Sequence, residues 1–383
     1  MNYRLSISKF TVLLLLIFCL NKGQCHSRVF HLDDYGAVKG GKVDNSKALL
    51  KAWDDACKWK GGSRLDISSG PYLVNAVLLV GPCNGPIEFH NTGSLIAPLG
   101  LRGQYWIEFR YIDGLTVSGS GSFDGRGPPK QGSPYLPTLL RFSFVTNSNA
   151  QDVKLINSQT THFNLFACNN TKISQITISS PGDSPNTDGI KIGESNGIII
   201  SNSTIASGDD CVALLTGSKN ISVIGVTCGP GHGISIGSLG GSPNEHVEQI
   251  FVSNIKLLNT TNGLRIKTKA TNMHGIVSNV RYEDVFMDGV QNPIIFDQNY
   301  CPPKTCKQGS SRVQISDVKF RNIYGTSKTN VAVNLQCSGR NPCNKIELKD
   351  IEIKYQGLKG KTISSCSHAS GEVYGIQVPK PCI

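Results

Sequence analysis

Short runs of isoleucine and valine return along most of the chain. Examples are Val153-Lys-Leu-Ile156, Ile173-Ser-Gln-Ile-Thr-Ile178, Gly197-Ile-Ile-Ile-Ser-Asn202, Asn220-Ile-Ser-Val-Ile224, Gln249-Ile-Phe-Val-Ser-Asn254, Val313-Gln-Ile-Ser-Asp-Val318 and Lys345-Ile-Glu-Leu-Lys-Asp-Ile351. They recur at intervals of about 20 to 35 residues, with Gly or Asn at many of the turns between them. Such a degenerate, sustained repeat is what a solenoid of short strands requires. Each turn of chain adds one strand to each of several parallel sheets, and the next turn stacks on it. An all-β stack of this kind also answers a problem of size, because so long a chain exceeds one ordinary globular core and shows no Pro/Ser/Gly linker at which to divide. A stacked coil is quasi-one-dimensional and lengthens without a second domain. A pair of β-sandwiches would need hairpin turns every 8–12 residues, and these are mostly missing.

Only one helix reads clearly. Asp44 or Asn45 caps a segment running to about Lys60, in which Leu49, Trp53, Ala56 and Cys57 recur at three- and four-residue intervals. Gly61-Gly62 stops it. A short helix at this position is expected to close the apolar N-terminal end of the stack.

The first residues, MNYRLSISKFTVLLLLIFCLNKGQC, place Arg4 and Lys9 ahead of an apolar run from about Phe10 to Leu20. That run is shorter than the roughly 20 apolar residues a bilayer span needs. The basic, apolar, small-residue order is that of a secretory signal peptide over residues 1–25, leaving residues 26–383 as one β-helix domain. Removal of the leader takes away three basic residues and no acid, so the net charge falls from +11 to +8. The remaining excess is spread along the chain without a Lys/Arg block, which argues against a nucleic-acid tail. A secreted basic protein is better suited to an acidic extracellular polymer, since summed positive charge concentrates a polyanion.

Eleven of the 13 cysteines follow the leader. In an oxidising compartment they should mostly pair, and an odd number leaves at least one thiol free. Cys168 lies far from the local pairs and is the candidate. Cys301-Pro-Pro-Lys-Thr-Cys306 has no second cysteine pair or histidine at ligand spacing, so a disulfide is expected there rather than zinc. Asn-x-Ser/Thr sequons at Asn169, Asn202, Asn220 and Asn259 are expected glycan sites on exposed turns.

Four polar segments then stand out against the strand rhythm: Asn186-Thr-Asp188, Gly208-Asp209-Asp210, Gly231-His232-Gly233 and Arg265-Ile-Lys267. Each leads into, or occupies, an Ile/Val strand. Asp188 to Asp210 is 22 residues, Asp210 to His232 is 22, and His232 to Arg265 is 33. With a coil of about 22 residues, the groups stand on consecutive rungs about 4.8 Å apart. Three aspartates, a histidine and a basic pair then form one cluster on one face. Closely spaced carboxylates resist simultaneous ionisation, so one should keep its proton to higher pH. An acid form beside a base form is what glycosidic cleavage requires. Arg265 and Lys267 share a strand face and suit the grip of a substrate carboxylate. Taken singly, none of these segments is specific; the set in register is. Gly231-x-Gly233 has the wrong spacing to Gly237 for a dinucleotide loop, and no βαβ unit surrounds it.

At these residues the chain resembles the polygalacturonases, glycoside hydrolase family 28. Asp297-Gln-Asn-Tyr300-Cys301 is similar to a further, plant-type segment, and the resemblance runs from Asp34-Tyr-Gly-Ala37 to the C-terminal cysteines. It implies a right-handed parallel β-helix that hydrolyses α-1,4 bonds between galacturonic acid units of pectin with inversion. By the same resemblance Asp209 is the general acid, Asp188 and Asp210 activate the attacking water, and His232 tunes the acid. Arg265 and Lys267 bind the galacturonate carboxylate; Tyr300 and Asn186 are further substrate contacts. No metal or organic cofactor is implied, nor a nucleic-acid or membrane partner, and a secreted cell-wall monomer is expected. Disulfides are expected at Cys57–Cys83, Cys211–Cys228, Cys301–Cys306, Cys337–Cys343 and Cys366–Cys382. The general similarity is to exo-acting pollen members. Rival readings are an endo-acting enzyme, a pectate lyase using a basic residue and calcium, and a non-catalytic pectin-binding wall protein.

Overall fold

The computed structural model describes residues 27–127, 136–302, 306, 309–358 and 360–383. The leader assigned to residues 1–25 lies outside them. The described residues coil into a parallel β-helix. One sheet has eleven strands and a second, wrapping the other sides, has 20. In the eleven-stranded sheet each strand pairs in parallel with the strands of the coil before and the coil after. Ile190 registers with Val212, Val212 with Ile234, Ile234 with Leu264 and Leu264 with Ile294. The expected period of 22 residues therefore holds across the first two of these steps.

Early coils carry three strands apiece, for example Ile190–Gly193, Asn196–Ser201 and Thr204–Ala206. From Glu245 on, the two strands outside the eleven-stranded sheet run together into long ones, Glu245–Leu258 and His274–Val290. Glycine and asparagine share many of the left-handed positions at the corners, Asn202, Asn220, Asn254 and Asn259 among them. Asparagine tolerates that conformation better than most residues, which is why Asn as well as Gly punctuates the repeat.

Alternation along each strand of the eleven-stranded sheet separates core from cleft. The inward positions Phe109, Phe142 and Phe163 stack edge to face at centroid distances of 5.5 and 4.9 Å. Ile190, Val212, Ile234 and Leu264 follow Phe163 in register and are buried. Each such side chain contributes about 1.5–3 kcal/mol by leaving water. The outward neighbours Asn164, Lys191, Ala213, Ser235 and Arg265 form a second column on consecutive rungs.

The helix spans Ser46–Lys58 and buries Leu49, Ala52, Trp53, Ala56 and Cys57. Asn45 occupies the N-cap position, but its side chain bonds the backbone of Val38, Val43 and Leu73 instead of the helix. Asp44 does the capping, accepting the amide of Ser46 at 3.0 Å. The helix stops two residues before the expected end, because Trp59 is already extended. All five expected disulfides are present. Cys168 is free and buried, and burial pushes its thiol up to about 11, so it is inert. Among the described residues, no helix is long and apolar enough to cross a membrane.

Candidate active site

Three loop-to-strand junctions on adjacent coils build the site. Asp188 precedes the strand Ile190–Gly193, Asp209 and Asp210 precede Val212–Leu214, and His232 precedes Ile234–Leu239. Arg265 and Lys267 lie within Asn262–Thr268. Close contact between coils dictates two of the signature glycines. A Cβ on Gly208 would lie 1.9 Å from the carbonyl oxygen of Ser184. Gly233 has a φ of +74°, and a Cβ there would lie 2.1 Å from the carbonyl oxygen of Asn262.

The Asp pair divides its duties between two levels. Asp209 faces the cleft with a side chain 22% exposed, and its Oδ1 lies 2.9 Å from Nδ1 of His232. The amide of His232 donates to the carbonyl of Asp209 at 2.8 Å, so both contacts lock the two coils together. Asp210 points below, with a side chain only 2% exposed. Its Oδ1 accepts from Ser235 Oγ at 2.7 Å and from Arg265 Nη2 at 2.5 Å. Its Oδ2 accepts from Lys267 Nζ at 2.8 Å. Arg265 Nε also donates to Ser235 Oγ at 2.9 Å. The buried charges are thus paired and multiply hydrogen-bonded, as burial demands.

Asp188 sits one rung before the Asp pair. Its Oδ2 accepts from Thr161 Oγ1 at 3.1 Å and forms an ion pair with Lys191. Among the described residues its Oδ1 has no hydrogen-bond partner. His162 donates its backbone amide to the carbonyl of Asp188 at 2.8 Å and places Nδ1 3.0 Å from the same oxygen. Burial pushes His162 down to about 4, so it stays neutral and holds the backbone, not a proton.

The two cleft carboxylates are driven apart. Burial raises Asp188, and the charges of Asp209 and Asp210 raise it further against the pull of Lys191. Burial also works to raise Asp209, but the hydrogen bond and charge of His232 and the charge of Lys267 overcome it and take Asp209 to about 2. The expectation that one carboxylate keeps its proton longer therefore falls on Asp188 in the free protein.

The sequence pattern of the family described as Glycosyl hydrolases family 28 matches residues 57–375. The chain belongs to this family. It is 41% identical to a polygalacturonase of Gossypium hirsutum over 97% of this chain and 94% of that one. It is 40% identical to an exopolygalacturonase of Platanus acerifolia over 93% of this chain and 98% of that one. The solved endo-xylogalacturonan hydrolase of Aspergillus tubingensis superposes with a TM-score of 0.77 at 22% identity, covering 91% of this chain and all of that one; this likeness speaks for the fold alone.

As a family 28 glycoside hydrolase, the protein is not the calcium-dependent lyase considered above. Asp188, the Asp209-Asp210 pair and His232 stand on successive rungs 22 residues apart, and Arg265 and Lys267 join them from the next rung across a longer step. Tyr300 joins them indirectly: its ring lies 5.2 Å from Lys267 Nζ and its amide donates to Thr268 O at 3.1 Å. Asn186 is exposed in the loop before Asp188 and, among the described residues, bonds to none of the others. Lys191, Ser235, Thr161 and His162 went unread in the sequence. Lys191 and Ser235 look like ordinary outward residues of a strand, and only the register shows which carboxylate each meets. Oxygen and nitrogen atoms of Asp209, Asp210 and His232 lie within 4.8 Å of one another, a spacing a cation can bridge. The carboxylate of Asp210 is already shared by two fixed cations, so a third would meet their charge.

Proposed function

We propose that this family 28 enzyme hydrolyses α-1,4-galacturonosyl bonds of polygalacturonate with inversion, removing terminal units. What carries the reading is the pair of cleft carboxylates, Asp209 and Asp188, in opposed environments above a buried layer of positive charge. Asp209 is the general acid. In the free protein it is ionised; a bound uronate adds negative charge beside it and draws on Lys267, and both changes raise its hold on a proton. Asp188 is the base that takes a proton from water, through its unpartnered Oδ1. Asp210 has both oxygens filled by Ser235, Arg265 and Lys267, so it serves to hold the basic pair. The names of relatives such as the Platanus enzyme support the exo mode.

The test is digestion of polygalacturonate with products sized early. Reducing ends are expected without the absorbance of an unsaturated uronate, with and without a chelator, and monomer is expected as the first product. An unsaturated product or no cleavage ends the reading; a spread of oligomers ends only the exo mode.

Arg265 and Lys267 are proposed to meet the carboxylate of the bound sugar from beneath. Arg265→Ala and Lys267→Ala should raise KM more than they lower kcat. The loss should shrink on methyl-esterified pectin, where no anion is left to read, without vanishing, because Asp210 loses a partner in either case. Equal KM effects on both substrates would remove this role.

Residues 1–25 are proposed as a secretory leader and the rest as one catalytic domain acting as a monomer on extracellular wall pectin. Asn169, Asn202, Asn220 and Asn259 are all exposed, as N-glycan sites must be.

A further inference from the structure

Lys191 plays no part in the mechanism drawn above, yet it is placed where it bears on that mechanism. It is the outward residue of Ile190–Gly193, between Asn164 on the preceding rung and Ala213 on the next. Its side chain is 30% exposed and its ammonium touches Oδ2 of Asp188, whose side chain is 8% exposed. The other cations of the cluster, Arg265 and Lys267, are committed to Asp210. Lys191 thus stands on the opposite side of the carboxylates from them, three rungs from Arg265 and roughly 14 Å away at the usual strand spacing.

Asp188 needs such a partner. It is buried, and among the described residues the charges that act on it most are the opposite charge of Lys191 and the like charges of Asp209 and Asp210. From the coil before, Thr161 gives it a neutral hydrogen bond, and His162 stays neutral against its backbone. Burial and two neighbouring anions both disfavour an ionised carboxylate, and an opposite charge in contact is what offsets them. The ion pair also fixes geometry. With Oδ2 held by Thr161 and Lys191, Oδ1 is the oxygen left for water.

We propose that Lys191 is a positioning residue that keeps Asp188 ionised and turned to present Oδ1 to the attacking water. This rests on the hydrolytic reading above. It differs from the role of Arg265 and Lys267, because Lys191 acts through Asp188 and not on the sugar.

The test compares wild type, Lys191→Met and Lys191→Arg by kcat/KM against pH on polygalacturonate. Without the ammonium, Asp188 holds its proton to higher pH, so the acid limb of the Met variant should move up by about one pH unit or more. Activity should fall by about ten-fold below the limb and approach wild type above it, while KM changes little. The Arg variant should restore the wild-type limb. A Met variant that loses activity equally at every pH, or loses none, overturns the proposal, provided its Tm shows that it folds. Titration of the Asp188 carboxyl by carbon NMR in wild type and Lys191→Met needs no substrate. It should show the same upward displacement, and an unmoved Asp188 would overturn the proposal even if the substrate assignment were wrong. Failure of wild type to cut polygalacturonate would instead count against the hydrolytic reading alone.

Discussion

Asp209→Asn is expected to leave polygalacturonate bound and uncut. The amide keeps the size of the carboxylate, and its oxygen can still accept from Nδ1 of His232, now 2.9 Å from Oδ1. The local contacts between the two coils therefore survive, including the amide of His232 on the carbonyl of residue 209. What is lost is a group able to give a proton to the leaving oxygen. General acid catalysis is worth about 10²–10⁴-fold, so kcat should drop by at least that range while the binding constant for oligogalacturonate moves only a few-fold. Loss of the charge should also remove whatever limb Asp209 contributes to the pH profile. The measurements are single-turnover rates and calorimetric binding on the same preparation. A variant that keeps a tenth or more of wild-type kcat would take the acid role away from Asp209.

Asp210→Asn should do a different kind of damage, to the fold as well as the rate. Arg265 and Lys267 are nearly buried, with side chains 11% and 9% exposed, and Asp210 is the acid that meets both. Removing the charge leaves two cations facing one another. Arg265 in particular cannot relieve this by losing a proton. Breaking a buried ion pair by removing one partner costs about 3–5 kcal/mol. In a chain of this length that is a fall in Tm of roughly 5 °C. Activity should fall too, since the basic pair loses its anchor under the cleft. The double variant Asp210→Asn/Lys267→Met should recover part of the stability and none of the activity, because it removes one of the stranded charges. An unchanged Tm in the single variant would mean that the pair is not held by Asp210 as drawn.

Part of this site was legible from spacing. The runs of Ile and Val define coils, and equal spacing between Asp188, Asp210 and His232 puts them on successive rungs. The step to Arg265 is longer, yet it also reaches the next rung, because Ile234 registers with Leu264 across the additional chain between them. The level of each carboxylate was not legible. Asp209 and Asp210 are adjacent and chemically identical, but one turns to the cleft and His232 while the other turns down to Arg265. Nor was it legible that the basic pair, read as suited to grip a substrate carboxylate, also meets Asp210 from within the fold. Lys191 carried no signal, because a lysine in Gly-Ile-Lys-Ile is what any strand with one wet face shows.

Local pattern was enough to determine the repeat, the coil length around the acids, the capping helix and the set of ionisable groups on one face. These follow from strand alternation and coil length, both of which are written along the chain. Which group touches which was decided only by tertiary structure. Contacts such as Lys191 to Asp188 or Arg265 to Asp210 depend on how loops between coils bend and on which side chains reach across a rung of about 5 Å. Burial, charge and hydrogen bonding then set the proton affinities of Asp188 and Asp209 in opposite directions, and those quantities exist only once the coils are stacked.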